Sequence, residues 1–272
     1  MSNNLRFGVG IRSVKSRARL QDTARHYEEL GFDVLHVPDH LGAPAPFPVL
    51  AAAAQVTRTM RLGTFVLNAG FYKPALLARD AVDLDLLSDG RLDLGLGAGY
   101  VQAEFEAAEL PFPSAGRRVD HLEHVTRYFS ERHASIPILI AGNGDRVLTI
   151  AARYAAIIGL TGAGKPVDDP LAERIEFVRD AAGERFGGLE LNIAITAAPG
   201  DDGSGMPDLK LTRRFSSHLS DQQLLALPSV LSGTPRDGAD KLRHLQDKYG
   251  LTYFTVQDNH TDYFAKVIAE LR

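Results

Sequence analysis

The 272-residue sequence contains no cysteine and no tryptophan. Without thiols there is no disulfide, no thiolate-held zinc, no iron–sulfur cluster and no cysteine nucleophile. No apolar run approaches the roughly 18 residues of a membrane-spanning segment. Residues Met1–Arg6 are polar, so neither a membrane span nor a secretion signal is expected, and the expected location is the cytoplasm. Neither sign of charge dominates: 30 Lys plus Arg stand against 34 Asp plus Glu, a formal net charge of −4. That balance argues against a large nucleic-acid footprint. With 44% hydrophobic and 24% charged residues, the chain has the composition of a globular protein with a sizeable core.

What is present is a regular alternation. Short apolar runs occur at Arg6–Gly10, Val34–Val37, Leu62–Val66, Leu92–Leu96, Pro137–Ile140, Ala155–Leu160, Leu191–Thr196 and Thr252–Gln257. Each is followed by helical sequence, including Ala75–Leu87, Val119–Glu131, Asp145–Tyr154, Asp169–Phe186, Asp237–Tyr249 and Thr261–Leu271. The apolar runs lack clean polar alternation, as strands of a parallel sheet buried on both faces do. Eight units in 272 residues give about 34 residues each, the repeat of a (βα)8 TIM barrel. An open doubly wound sheet would place a glycine-rich phosphate loop after its first strand. Here that strand leads into Ile11–Lys15, which is not glycine-rich. The chain reads as one α/β barrel domain over residues 1–272, with an irregular insertion at about 197–235.

Barrel active sites lie at the C-terminal ends of the strands, which selects the polar residues worth following. Asp39-His40 follows the second strand; a carboxylate beside an imidazole can orient a ligand and move a proton near neutral pH. Asn68, Gly70, Phe71 and Tyr72 follow the third, and either wall a flat ligand or pack on the rim. Lys73 is either a solvated lysine or an attractor of anionic substrate. Gly95, Gly97 and Gly99 do not have dinucleotide-fingerprint spacing; they let backbone approach a ligand or relieve crowding. Gly142-Asn143-Gly144 opens a helix, where free N–H groups can hold an anion or make a plain turn. Gly159–Lys165 matches seven positions of a nucleotide-binding loop, but Pro166 replaces the required Ser or Thr. Metal chemistry is not signalled: His121 and His124 read as paired surface histidines, and His36 and His40 lack a third ligand.

The stretch Leu62–Asn68, then Lys73-Pro74-Ala75, then Leu87–Tyr100 and Glu104-Phe105 resembles the luciferase-like monooxygenase superfamily. More closely, it resembles the branch that uses coenzyme F420, a 5-deazaflavin. Val37–His40, Pro137–Gly142, Ala151–Ala155 and Leu231–Pro235 extend the resemblance over nearly the whole chain. It implies a (βα)8 barrel, usually a homodimer, with the deazaflavin in the strand-end mouth and a small organic molecule as substrate. By resemblance, Asp39 and His40 flank the ring, and Phe65-Val66 forms a bulge, often a cis peptide, behind it. Asn68, Ala98 and Gly99 lie near the ring and its polyol. Gly142, Asn143, Gly144, Thr161 and Gly162 hold the cofactor phosphate. His40 and Tyr100 are the proton-transfer candidates. Tyr100 stands where the sugar-phosphate dehydrogenase branch carries an acid, and that branch's tryptophan is missing, so glucose-6-phosphate is not the expected substrate. An FMN-dependent monooxygenase using oxygen, and a non-catalytic cofactor carrier, are the alternatives.

Overall fold

The computed structural model describes residues 5–161, 168–200 and 203–272. Two of the sequence-derived features, Gly162 and most of the Gly159–Pro166 loop, lie outside them. In chain order the elements are β1 (Arg6–Gly10), α1 (Arg17–Glu29), β2 (Val34–Val37), α2 (Pro46–Ala54), β3 (Arg61–Thr64), β4 (Leu67–Asn68) and α3 (Pro74–Leu87). They continue with β5 (Leu92–Gly97), α4 (Gln102–Ala107), α5 (Ala115–Arg132), β6 (Ile138–Ala141), α6 (Asp145–Tyr154) and β7 (Ile157–Leu160). Next come α7 (Pro170–Ala182), β8 (Glu190–Ala194), α8 (Lys210–Phe215), α9 (Asp221–Ala226), α10 (Pro235–Tyr249), β9 (Leu251–Gln257) and α11 (Thr261–Leu271).

All strand pairings in the sheet are parallel, and the order β3-β2-β1-β9-β8-β7-β6-β5-β4 closes through β3–β5. Strands β3 and β4 are one barrel strand interrupted at a cis Phe65–Val66 peptide, so the fold is an eight-stranded (βα)8 barrel. The single run expected at Leu62–Val66 is thus two short strands with a bulge between them. The physical reason is in β5. A Cβ on Gly95 would lie 1.9 Å from the Thr64 carbonyl oxygen, and one on Gly97 2.8 Å from Val66. Two glycines let the bulge press against the neighbouring strand, and Thr64 Oγ1 stitches it there by donating to Gly95 O and accepting from Gly95 N, both at 2.8 Å. Gly95 and Gly97 therefore relieve crowding between strands.

Capping follows local rules. Ser16 accepts from Arg19 N, Thr234 and Asp237 form a capping box on α10, and Gly250 ends that helix at φ +72°. The Ser88–Arg91 turn has a structural role as well. Arg91 donates to Ala54 O, Met60 O and Ser88 O at 3.0, 2.8 and 2.6 Å, so its guanidinium ties the last carbonyl of α2 to the segment before β3 and the end of α3. At the opposite end of the barrel from the mouth, Asp93 is 1% exposed and pairs with Arg6 at 2.6 Å and Arg61 at 2.7 Å, while Arg6 also pairs with Glu190. The 197–235 stretch is not wholly irregular: it carries α8, α9 and isolated bridges Ala197–Val230 and Pro199–Pro207. No described helix is long and apolar enough to cross a membrane.

Candidate active site

The C-terminal ends of β2, β4 and β5 bring the first group of side chains together. Asp39 leaves β2 and its Oδ2 accepts from the Asn68 backbone N–H at 3.1 Å, while the Tyr72 hydroxyl donates to the same carboxylate. Burial pushes the Asp39 pKa up, and these two hydrogen bonds oppose the rise. Beside it, His40 Nδ1–H donates to Glu104 Oε1 at 2.8 Å. Holding the proton on Nδ1 leaves Nε2 as the ring position that exchanges a proton with a ligand. The histidine is half-exposed and the carboxylate largely covered, at 49% and 17% side-chain exposure, so the pair sits at an opening and not in the core.

Asn68 is buried, and its Oδ1 accepts from Gly70 N at 3.0 Å. Gly99, at φ +72°, packs its backbone against this amide; a Cβ there would lie 2.1 Å from Asn68 Oδ1. Arg118 locks the same loop, donating from Nε to Gly99 O at 2.8 Å while its guanidinium covers the Phe112 ring at 4.2 Å. Phe65, Val66 and Ala98 are partly exposed and form an apolar shelf at the mouth. Phe71 does not wall a ligand directly: it packs on Phe105 at 5.3 Å, which packs on Phe112 at 5.2 Å. Tyr100 is 73% exposed and has no hydrogen bond among the described residues, so the two proton-transfer candidates are in different settings.

On the far side of the shelf, Gly142 and Asn143 lead into Gly144, the N-cap of α6. Asn143 Oδ1 is buried without a partner among the described residues. A Cβ on Gly144 would meet nothing within 4 Å, so the start of this helix faces open space. Arg174, itself 3% exposed, donates to Asn143 O at 3.2 Å and pairs with both Asp145, at 2.5 Å, and Glu173, so it fixes the loop at the helix start while its charge is neutralised by the two carboxylates. Thr161 lies just beyond β7 on the same side and is exposed. An apolar shelf, a proton-transfer pair at one end and an anion-friendly helix start at the other fit a flat ring with a phosphorylated tail.

Two histidines have roles that spacing did not reveal. His121 Nε2–H donates to Ala69 O and Tyr72 O at 3.1 and 3.0 Å, pinning the loop that carries Tyr72, so it is not simply a surface histidine. His36 lies inside the barrel, 1% exposed, with Nε2 2.5 Å from the Tyr253 hydroxyl and its ring 4.9 Å from Phe65. Glu104, Arg118 and Arg174 were not singled out as site residues from sequence, and Tyr72 was read as a ligand wall or rim residue without its bond to Asp39. Glu104 stood inside a family motif, and that was the one available signal.

The sequence signature of the luciferase-like monooxygenase family matches residues 5–205. The chain belongs to that family. Among curated family relatives, an F420-dependent glucose-6-phosphate dehydrogenase of Beutenbergia cavernae is 31% identical over 172 residues, covering 51% of this chain and 51% of that protein. The chain spans about half the length of the first curated relatives it matches. Among solved structures, the coenzyme F420 dependent tetrahydromethanopterin reductase of Methanopyrus kandleri superposes with a TM-score of 0.74 at 17% identity, covering 98% of both chains. The monooxygenase RslO1 of Streptomyces bottropensis superposes with a TM-score of 0.76 at 22% identity, again covering 98% of both chains. At these identities the superpositions establish the shared barrel of the luciferase-like family and nothing finer.

Proposed function

We propose that the protein is an F420-dependent oxidoreductase that moves a hydride between C5 of the deazaflavin and a small organic substrate. The observation that carries this reading is the His40–Glu104 pair set at one end of the Phe65-Val66 and Ala98 shelf, with the α6 helix start at the other. The F420 dependence of the Beutenbergia cavernae relative supports deazaflavin over FMN.

When bound, the deazaflavin supplies the carbon that carries the hydride. Phe65 and Val66 would cover one face of the ring and Asn68, Ala98 and Gly99 would line its edge, while Asp39 holds the Asn68 backbone in place. Gly142, Asn143, Gly144 and Thr161 would hold the phosphate. Hydride delivery to a substrate carbonyl carbon requires a proton on its oxygen, and the reverse reaction removes one. His40 Nε2 exchanges that proton while Glu104 keeps Nδ1 protonated and fixes the ring. Tyr100, exposed on the loop after β5, is the second candidate.

The test is a fluorescence titration with F420 and with FMN, followed by turnover with short alcohols and aldehydes. The expected result is F420 binding that His40→Ala alters by less than about threefold, with a fall in kcat of about 10²- to 10⁴-fold. Exclusive FMN binding with oxygen-dependent turnover replaces this reading with an FMN monooxygenase. Cofactor binding with no turnover by wild type leaves a non-catalytic carrier.

A further inference from the structure

The mouth has an arc that the cofactor reading leaves unused. The shelf, the His40–Glu104 pair and the phosphate loops occupy the ends of β2 through β7. Between the ends of β8, β9 and β1 lies a cavity of about 420 Å³ whose lining includes Arg12, Asp208, Lys210, Arg214, Asn259 and His260. Arg12 follows β1, Asn259 and His260 follow β9, and Lys210 and Arg214 stand four residues apart on α8, hence on one face of that helix.

The charges do not cancel. Three cations face one carboxylate in the lining, and a second carboxylate, Asp258, is bound to Arg12 Nε at 2.7 Å. Arg214 makes no hydrogen bond or ion pair among the described residues. Lys210 lies 3.3 Å from Asp208 but is 91% exposed, a geometry in which an ion pair contributes little. The cavity therefore keeps a positive surplus.

A chain of hydrogen bonds fixes the wall of the cavity. Arg12 Nη2 donates to Asn259 Oδ1 at 3.3 Å, which fixes the orientation of that amide. Asn259 Nδ2 must then donate to His260 Nε2, 3.1 Å away. With Nε2 accepting, the ring proton sits on Nδ1. His260 is 8% exposed, and its Nδ1 is buried with no partner among the described residues. Burial, reinforced by Arg12 and opposed by Asp208 and Asp258, also holds the ring below the usual histidine pKa.

We propose that this cavity binds an anionic oxygen group of the substrate, a phosphate or a carboxylate, with Arg214, Lys210 and Arg12 as counter-charges and the Asn259–His260 pair as the fixed wall behind them. The assignment to substrate rests on the reading that the cofactor occupies the β2–β7 arc. The cations come from two segments far apart in sequence, the loop after β1 and helix α8, and Lys73, the one lysine whose position in sequence suggested such a role, is exposed at the start of α3, away from this lining.

The test is calorimetric titration of the full chain, with and without F420 or FMN, using inorganic phosphate, succinate and, as a neutral control, glycerol. Wild type is expected to bind one of the two anions and not glycerol; which anion binds distinguishes a phosphate from a carboxylate subsite. The double variant Lys210→Ala, Arg214→Ala changes exposed side chains on a six-residue helix and should keep the wild-type circular dichroism spectrum. It is expected to weaken anion binding at least tenfold while the F420 and FMN dissociation constants move less than twofold. The proposal is overturned if neither anion binds in any form, if the double variant binds both as wild type does, or if it weakens cofactor binding as much as anion binding, which would assign the cavity to the cofactor tail. Anion binding in a chain that takes up neither cofactor would overturn the oxidoreductase reading and leave the anion site standing.

Discussion

His36 and His40 lie four residues apart and live in different media. His40 meets solvent at the rim. His36 fills the space that side chains on Gly8 and Gly63 would take; a Cβ at either glycine would lie 2.7 or 2.5 Å from its ring. Burial pushes the His36 pKa down to about 3, with Asp93 opposing and Arg6 reinforcing the shift. Its unfolded pKa is about 6.5. The unfolded chain therefore takes up the proton first, and this group's stabilising effect is present above pH 6.5 and lost as pH falls toward 3. The loss is about 1.4 kcal/mol per pH unit in that window. Between pH 6.5 and 5, wild type should lose about 2 kcal/mol through this residue, and His36→Asn should not. Urea-denaturation midpoints at the two pH values check this. His260, whose pKa burial also lowers, leaves a smaller dependence of the same sign in the variant. At this scale the rim residues Asp39, His40, Asn68 and Gly99 could be read from their place after strands. Glu104 and Arg118 could not be assigned contacts that way. Their partners His40 and Gly99 are 64 and 19 positions away, and only folding sets those distances.

Elements with several turns or a clear apolar run announced themselves. Helices α6 and α11 lie where their periodicity places them, at Asp145–Tyr154 and Thr261–Leu271. The six-residue helices α4, α8 and α9 carry too few turns to show a period, and they went unread. The break between β3 and β4 was legible only through the family resemblance, because the contact that shapes it is between strands. Gly95 is the residue on which that contact depends. Gly95→Ala sets a methyl 1.9 Å from the Thr64 carbonyl, a backbone atom that cannot rotate away. The expected cost is about 3 kcal/mol or more. Gly187→Ala, where the added Cβ meets nothing within 4 Å, should stay within about 0.5 kcal/mol of wild type. Chemical denaturation of the two variants side by side reads the difference.

At the scale of the whole molecule, the chain leaves Leu76 and Leu87 on α3 exposed by 55% and 57%, eleven residues and so about three turns apart on one side of the helix. We propose that this side is the homodimer contact. Sedimentation velocity at micromolar concentration should give a dimer, and Leu76→Asp with Leu87→Asp a folded monomer; a monomeric wild type would refute the assignment. The alternation of eight apolar runs with helices determined the barrel by itself, because parallel strands buried on both faces can be covered in few other ways. The same alternation determined which end of the barrel carries chemistry. Composition removed thiol chemistry, since zero cysteine is a property of the chain alone. Tertiary structure decided what each rim residue touches. It placed Glu104 on His40, closed Asp93 between Arg6 and Arg61, and gathered Arg12, Lys210, Arg214 and His260 around one cavity. A hydrogen bond or a charge surplus depends on separations of a few ångströms between distant segments. The sequence pattern records which face a residue occupies, and barrel closure alone sets which faces meet.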